Sequence, residues 1–235
     1  MQFKNSGKQK AVTFSYDDGT VQDIFLTELF NKYGLKATFN LNSGVFGKNK
    51  ILIRQNQKVC FYRIHAEDVK YVYEGHELAV HTLTHPRLPE LDDEEVIRQV
   101  EQDRLNLSEL AGREVVGMAY PCAGINYDDR VDRLIRENSG IRYARTGKLT
   151  ESFDPQVDLM HFKPNLHHFC DWNRMMELTR RFVEMKADRP QILYIYGHSF
   201  EMELGSDCWA KMEELLAYLA NRDDIFYGTN QEVLL

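Results

Sequence analysis

The sequence lacks the features that would place it in several large functional classes. No stretch approaches the ~18 consecutive apolar residues of a membrane span. The first ten residues, Met1–Lys10, are polar and basic without the apolar centre of a secretory signal, so a cytoplasmic location is expected unless a processed segment has been removed. Positive charge is also scarce: 29 Lys and Arg against 36 Asp and Glu leave a net charge of −7. That balance argues against a nucleic-acid backbone or an anionic membrane as the main partner. The four cysteines (Cys60, Cys122, Cys170 and Cys208) are widely spaced and never form C-x-x-C, which disfavours a structural zinc knuckle or a dense disulfide framework and fits reduced thiols. There is no internal repeat, low-complexity tract or Pro/Gly-rich linker. The 235 residues therefore read as one domain, with a core over about 11–201 and a C-terminal helix and strand over 206–235.

What is present is a regular alternation of strand-type and helical runs. Ala11–Tyr16 reads as a buried strand, and Val21–Tyr33 as a helix with apolar spacing at Ile24, Leu26, Leu29 and Phe30, closed by Gly34. Further strands are expected over Lys36–Leu41, Glu77–His81, Val115–Tyr120, Ile141–Ala144, Gln191–Tyr196 and Ile225–Tyr227. Helical patterns cover Ala66–Glu74, Asp128–Glu137, about Trp172–Lys186, and a segment from Ser206 or Asp207 to about Asn221. A long helix opens at Asp92, with Glu95 completing an acidic variant of the capping box, and ends before Gly112. This order implies parallel strands with covering helices, which an open doubly wound sheet and a closed barrel both satisfy. Residues 43–64 and 146–168 show no clear period and are expected as long irregular loops over the strand ends.

Asp17, His81 and His198 fall at or just past the ends of expected strands, and Pro121 follows another in the same way. That edge is where parallel α/β folds assemble their sites. Each residue also has an ordinary reading. Asp17-Asp18-Gly19 has the composition of a turn, as Asp223-Asp224 does, while Asp92-Asp93 and Asp128-Asp129 open helices. His81 and His85 are four apart, but Pro86 follows, so a turn is expected rather than a helix face. His198 follows an apolar run in which the ordinary reading is a hydrogen-bonded core histidine, and His167-His168 read as solvent-facing loop residues, with the lining of a substrate groove as the alternative. Taken together, the two stretches Asp17-Asp18-Gly19 and His81–His85 supply three metal ligands and a spare carboxylate. A hydrolase needs that set to bind an ion such as zinc, leave a position for water and keep a base.

In chain order these stretches resemble the polysaccharide deacetylases, carbohydrate esterase family 4. Thr13-Phe14-Ser15-Tyr16-Asp17-Asp18-Gly19 is similar to that family's Asp-Asp motif. Gly75-His76-Glu77 and His81-Thr82-Leu83-Thr84-His85 resemble its His-Ser/Thr-x-x-His motif with the usual lead-in, and Ile195-Tyr196-Gly197-His198 its late Leu-x-His motif. The resemblance spans about residues 11–201 and implies a distorted (β/α) barrel of about seven parallel strands. It implies one divalent metal held by Asp18, His81 and His85, with zinc first and cobalt, nickel or manganese as alternatives. It further implies Asp17 as general base, His198 as general acid for the departing amine, and the backbone N–H of Cys122 as an oxyanion donor. The implied partner is an acetylated saccharide that loses an N- or O-acetyl group, with Tyr120, Pro121 and Phe200 as expected substrate contacts.

The third motif departs from the family pattern. Where the family has Arg-x-Pro-Tyr, this chain reads Ala119-Tyr120-Pro121-Cys122. The missing arginine holds the catalytic aspartate in the family, and Arg145, at the end of the next strand, is the expected substitute. Asp171-Trp172 matches the family's Asp/Trp element only superficially and reads as a helix opening. Cys122 has no evident base beside it in sequence and is not expected to act as a nucleophile or ligand. Two other readings stay open: the same chemistry on a small non-sugar amide, and a non-catalytic, metal-containing saccharide-binding protein.

Overall fold

The strand that leads to the Asp-Asp pair, Lys10–Asp17 (β1), is buried at every position, as expected of a strand covered on both faces. In the computed structural model, which describes residues 2–168 and 171–235, it lies near the middle of one curled sheet. The other strands are Thr38–Leu41 (β2), Asn49–Arg54 (β3), Gln57–Tyr62 (β4), Glu77–Val80 (β5), Gly117–Ala119 (β6), Tyr143–Arg145 (β7), Leu166–His167 (β8), Gln191–Gly197 (β9) and Ile225–Tyr227 (β10). Seven of them run parallel in the order β7-β6-β5-β2-β1-β9-β8, and β10 pairs with the first residues of β1. The gap between the two edges is spanned by residues 162–167. Phe162 exchanges backbone hydrogen bonds with the β7 edge, and Leu166 and His167 pair with β9. The sheet is thus the expected distorted barrel of parallel strands with helices outside.

The expected helices form with small shifts at their ends. Asp23–Lys32 ends at Tyr33, followed by Gly34 at φ 64°, and Asp92, Asp128 and Asp171 each accept a backbone N–H at the helix start they precede. The long helix from Asp93 to Ala111 ends at Gly112 in the left-handed region, but its middle, Arg98–Gln102, is a π turn. Short helices over Gln2–Asn5 and Asn230–Leu234 were not apparent in the sequence pattern.

The two aperiodic segments differ from expectation. Residues 49–62 form an antiparallel hairpin, turned at Gln55 and Asn56 with φ of 49° and 62°. Two consecutive left-handed residues suit a type I′ turn, whose twist matches that of the flanking strands. Val59, Phe61, Phe200 and Leu204 form a separate apolar cluster, with Leu52 packed on it, that fixes the hairpin against the turn Ser199–Leu204. The second segment contains β8 and the short turn Leu159–His161. Cys60, Cys122 and Cys208 are free thiols, and Cys170 lies outside the described residues. No helix among the described residues is long and apolar enough to cross a membrane.

Candidate active site

The strand ends of β1, β5, β6, β7 and β9 open into one cavity of about 890 Å³, and Asp17, Asp18, His81, His85, Cys122, Arg145 and His198 all line it. Asp17 ends β1 and stands in register with Asn40 of β2, whose Nδ2 donates to Asp17 Oδ1 at 2.8 Å. Asp18 then turns into the left-handed region at φ 80°, so the two adjacent carboxylates meet different partners. A non-glycine residue in that region carries strain that is common at functional sites. Thr82, His85 and Cys122 share it, with φ of 70°, 63° and 66°.

Asp17 is held by Arg145, whose Nη2 donates to both carboxylate oxygens, at 2.7 Å to Oδ1. Both side chains are buried, and the Arg145 guanidinium also lies 4.3 Å from the Tyr196 ring centre. Burial alone would raise the Asp17 pKa. The Arg145 cation, with His81 and His198, outweighs it and brings the value to about 2. Ala119, which occupies the third-motif arginine position, is the register partner of Arg145 on the adjacent strand.

Asp18, His81 and His85 each direct a ligand atom into one space, all within 4.8 Å of one another. His85 Nε2 is 3.7 Å from Asp18 Oδ1. His81 Nδ1 lies 2.8 Å from the Ala119 carbonyl, a contact that makes Nδ1 the donor and leaves Nε2 with its lone pair. Burial lowers the pKa of His81 to about 4 and also lowers that of His85, so both rings are neutral at physiological pH. One carboxylate and two neutral imidazoles converging in this way fit a divalent metal.

The histidine turn is braced by the long helix. Gln99, in its π turn, accepts from the Leu83 N–H through its carbonyl at 2.9 Å and pairs with Thr84 through both ends of its side-chain amide. Asp103 is buried and accepts from the N–H of His81 at 3.2 Å and from Ser43. Single π turns of this kind often accompany functional sites.

Arg63 and Glu201 join the site without having been apparent in the sequence. Arg63 follows the hairpin, and its Nη2 lies 3.2 Å from Asp18 Oδ1. Glu201 gathers three histidines: Oε2 is 2.7 Å from His168 Nε2, 3.3 Å from His198 Nδ1 and 3.4 Å from His167 Nε2. His198 Nε2 stands 3.9 Å from both Asp17 Oδ2 and Asp18 Oδ2. Burial would lower the His198 pKa, but the Glu201 carboxylate and the two aspartates raise it to about 9.

Several expectations are corrected. His168 is not solvent-facing: just past β8 its side chain is fully buried under Gly197, where a Cβ would lie 2.2 Å from the His168 ring, while His167 is partly exposed and lines the cavity. Cys122 does have an imidazole beside it, since its Sγ is 3.7 Å from His85 Nδ1; burial raises the thiol pKa, which disfavours a thiolate. Tyr120 and Phe200 border the cavity but are 3% and 5% exposed. Tyr127 stacks on Tyr120 at 4.7 Å, and Phe200 packs on Phe61 and His198, so neither offers an open face for a sugar. Pro121 is buried and is not among the residues that line the cavity. The N–H of Cys122 donates no hydrogen bond among the described residues.

Residues 4–144 match the family described as Polysaccharide deacetylase. No curated protein matches the chain. Among solved structures, a family 4 carbohydrate esterase pseudoenzyme from Bacillus anthracis is 16% identical with a TM-score of 0.56, the match covering 97% of this chain and 66% of that one. This chain therefore spans about two thirds of that protein's length. The carbohydrate esterase family 4 domain of a multidomain xylanase, from the hindgut metagenome of Trinervitermes trinervoides, is 16% identical with a TM-score of 0.57, covering 96% and 89%. A family 4 carbohydrate esterase from Streptomyces lividans, solved with acetate, is 13% identical with a TM-score of 0.55, covering 94% and 93%.

Proposed function

The chain belongs to the polysaccharide deacetylase family, and on that premise we propose that it is a metal-dependent hydrolase that removes acetyl groups from a saccharide. The observation that carries this reading is the division of labour between two adjacent carboxylates. Asp17 is locked onto Arg145 and Asn40, while Asp18 turns toward His81 and His85. A divalent ion held by Asp18, His81 and His85 would polarise the acetyl carbonyl and make a water molecule more acidic. Asp17, kept ionised by Arg145, accepts the proton of the attacking water. His198, protonated through neutral pH with Glu201 behind it, delivers a proton to the departing amine or alcohol. The N–H of Cys122 supplies a backbone donor for the oxyanion. No side chain serves as a covalent nucleophile in this scheme.

A cavity of about 890 Å³ is near the upper end of ordinary ligand sites, which favours an oligosaccharide over a lone small amide. Release of acetate from acetylated chito-oligosaccharides, compared with turnover of simple ureides and formamides, separates these two substrates. The catalytic scheme is tested by substitution. Asp17→Asn should abolish turnover while leaving about one metal per chain, whereas Asp18→Ala or His81→Ala should lose the metal. Asp17→Asn with undiminished turnover refutes the assigned base. Metal-replete wild-type protein that binds acetylated saccharide but releases no acetate establishes the non-catalytic alternative.

A further inference from the structure

We infer that the saccharide taken by this cavity is anionic, carrying carboxylate or phosphate groups on sugars that flank the acetylated one. The inference rests on the cavity being the saccharide site proposed above. The only acidic residues among those lining it are Asp17, Asp18 and Glu201, and each faces a cation or an imidazole of the cavity itself, through Arg145, Arg63 and His198. The protein's own interior charges are therefore matched, and a divalent ion held by Asp18, His81 and His85 would add a fixed positive charge that is independent of the walls.

The walls are different. Lys50, Arg54 and Lys148 also line the cavity, are exposed to solvent, and pair with no carboxylate among the described residues. Two of them come from the hairpin, where strand alternation puts Lys50, Leu52 and Arg54 on one face. Leu52 packs on the Val59, Phe61, Phe200 and Leu204 cluster, so the apolar contact that seats the hairpin also turns its two cations to the cavity. Lys50 Nζ lies 4.5 Å from the Phe61 ring centre. Lys148 Nζ lies 5.7 Å from that of Tyr127, whose own position is set by stacking on Tyr120 and His161. Aromatic faces hold the ammonium groups at the walls without neutralising them.

Three uncompensated cations at the walls of one cavity are notable in a chain of net charge −7. A neutral oligosaccharide gains little from them, since stacking faces and hydroxyl partners would serve it better. An anionic one gains attraction, strengthened by the low-dielectric walls around it.

Binding and turnover are measured separately to test this. Metal-loaded protein in an Asp17→Asn background, where Arg145 carries the same unpaired charge toward every probe, is titrated calorimetrically with chitotetraose (neutral), a hyaluronan tetrasaccharide (carboxylate) and a short oligomer of N-acetylglucosamine 1-phosphate (phosphodiester). An acidic probe should bind about tenfold more tightly than chitotetraose in about 20 mM NaCl and lose most of that advantage in about 200 mM. Whichever acidic probe binds better identifies the anion. Adding Lys50→Glu, Arg54→Glu and Lys148→Glu together should remove most of the preference, while Lys70→Glu, an exposed reversal outside the cavity, should keep it. Equal affinity for neutral and acidic probes overturns the inference, as does a preference that the triple reversal leaves undiminished. Acetate release is followed with the unsubstituted protein: a charge preference without acetate release from any probe supports the inference and removes the deacetylase reading.

Discussion

Replacing Arg145 with glutamine tests the site at its most constrained point. Arg145 is 2% exposed and Asp17 4%, so both charges of the pair are desolvated. The guanidinium donates to both Asp17 oxygens through Nη2, to Ser15 Oγ through Nε at 3.3 Å, and to the Thr146 carbonyl through Nη1 at 3.3 Å. Without it Asp17 retains the Asn40 amide as a donor but loses the cation in contact with both its oxygens, leaving the His198 ring 3.9 Å away. Removing one partner of a buried pair costs about 3–5 kcal/mol, a large part of the ~5–15 kcal/mol that typically holds a domain folded.

The sign of the pH dependence is specific to this explanation. A carboxyl lowered from 3.8 to about 2 contributes about 2 kcal/mol of stability, which is present above about pH 4 and lost as the pH falls through about 2. In Arg145→Gln burial dominates and the Asp17 pKa rises, so acidification should relieve the damage. Urea unfolding of wild type and variant at about pH 7 and about pH 4 should show a wide stability gap that narrows in acid. Steady-state kinetics should show kcat reduced about 10²-fold with KM little changed, because a base displaced by about 1 Å loses that much. Arg145→Lys should fall between the two, having the charge but not the planar fork. Normal kcat in Arg145→Gln, or a stability gap constant with pH, refutes the reasoning.

Glu201→Gln removes a carboxylate that opposes the effect of burial on His198, so the His198 pKa should fall from its raised value near 9. The alkaline limb of the kcat/KM profile should move to lower pH, and an unmoved limb would separate Glu201 from the acid. His76 is 3% exposed and accepts the Ala37 N–H on Nδ1; burial first, and Lys36 second, lowers its pKa to about 4. Because the unfolded chain takes up this proton below about pH 6.5 and the folded protein does not, about 3 kcal/mol of stability should be lost between about pH 6.5 and pH 4. His76→Asn keeps an acceptor for Ala37 and should shrink that acid loss, measured as urea midpoints across the range. An identical loss in the variant would show that other groups govern it.

The legible parts of this chain were those with a period or a terminus. β1, β5 and β9 are buried, mostly apolar runs that lead directly to Asp17-Asp18, His81 and His198, and every helix with both an apolar stripe and a cap could be read from its spacing. The hairpin was missed because its outer face is apolar: Ile51 and Ile53 are 51% and 69% exposed, which blurs the alternation between Lys50, Leu52 and Arg54. Asn56 in a two-residue loop between β-rich runs was the available signal. Arg63 and Glu201 carried none, since each reaches the site from a segment without regular spacing. Gln99 and Asp103 were hidden for the opposite reason. They belong to a helix whose pattern was clear, but only the π turn and the docking of that helix on β5 reveal that they brace the His81–His85 turn.

The altered third motif follows from the same sheet geometry. Ala119 and Arg145 are register partners on adjacent parallel strands, so their side chains project to the same side of the sheet. An arginine at either position starts from the same level of the barrel and faces the same interior. With alanine at 119, the arginine comes from β7, and its side chain is held along its length by Ser15, Thr146 and the Tyr196 ring. The Ala119 backbone still has a role, because its carbonyl takes the Nδ1 proton of His81. In this chain Arg145 holds Asp17 through its side chain and Ala119 holds His81 through its backbone, so the two contacts come from two neighbouring strands. The site tolerates the division because what Asp17 requires is a buried cation in contact with its carboxylate, whichever strand supplies it.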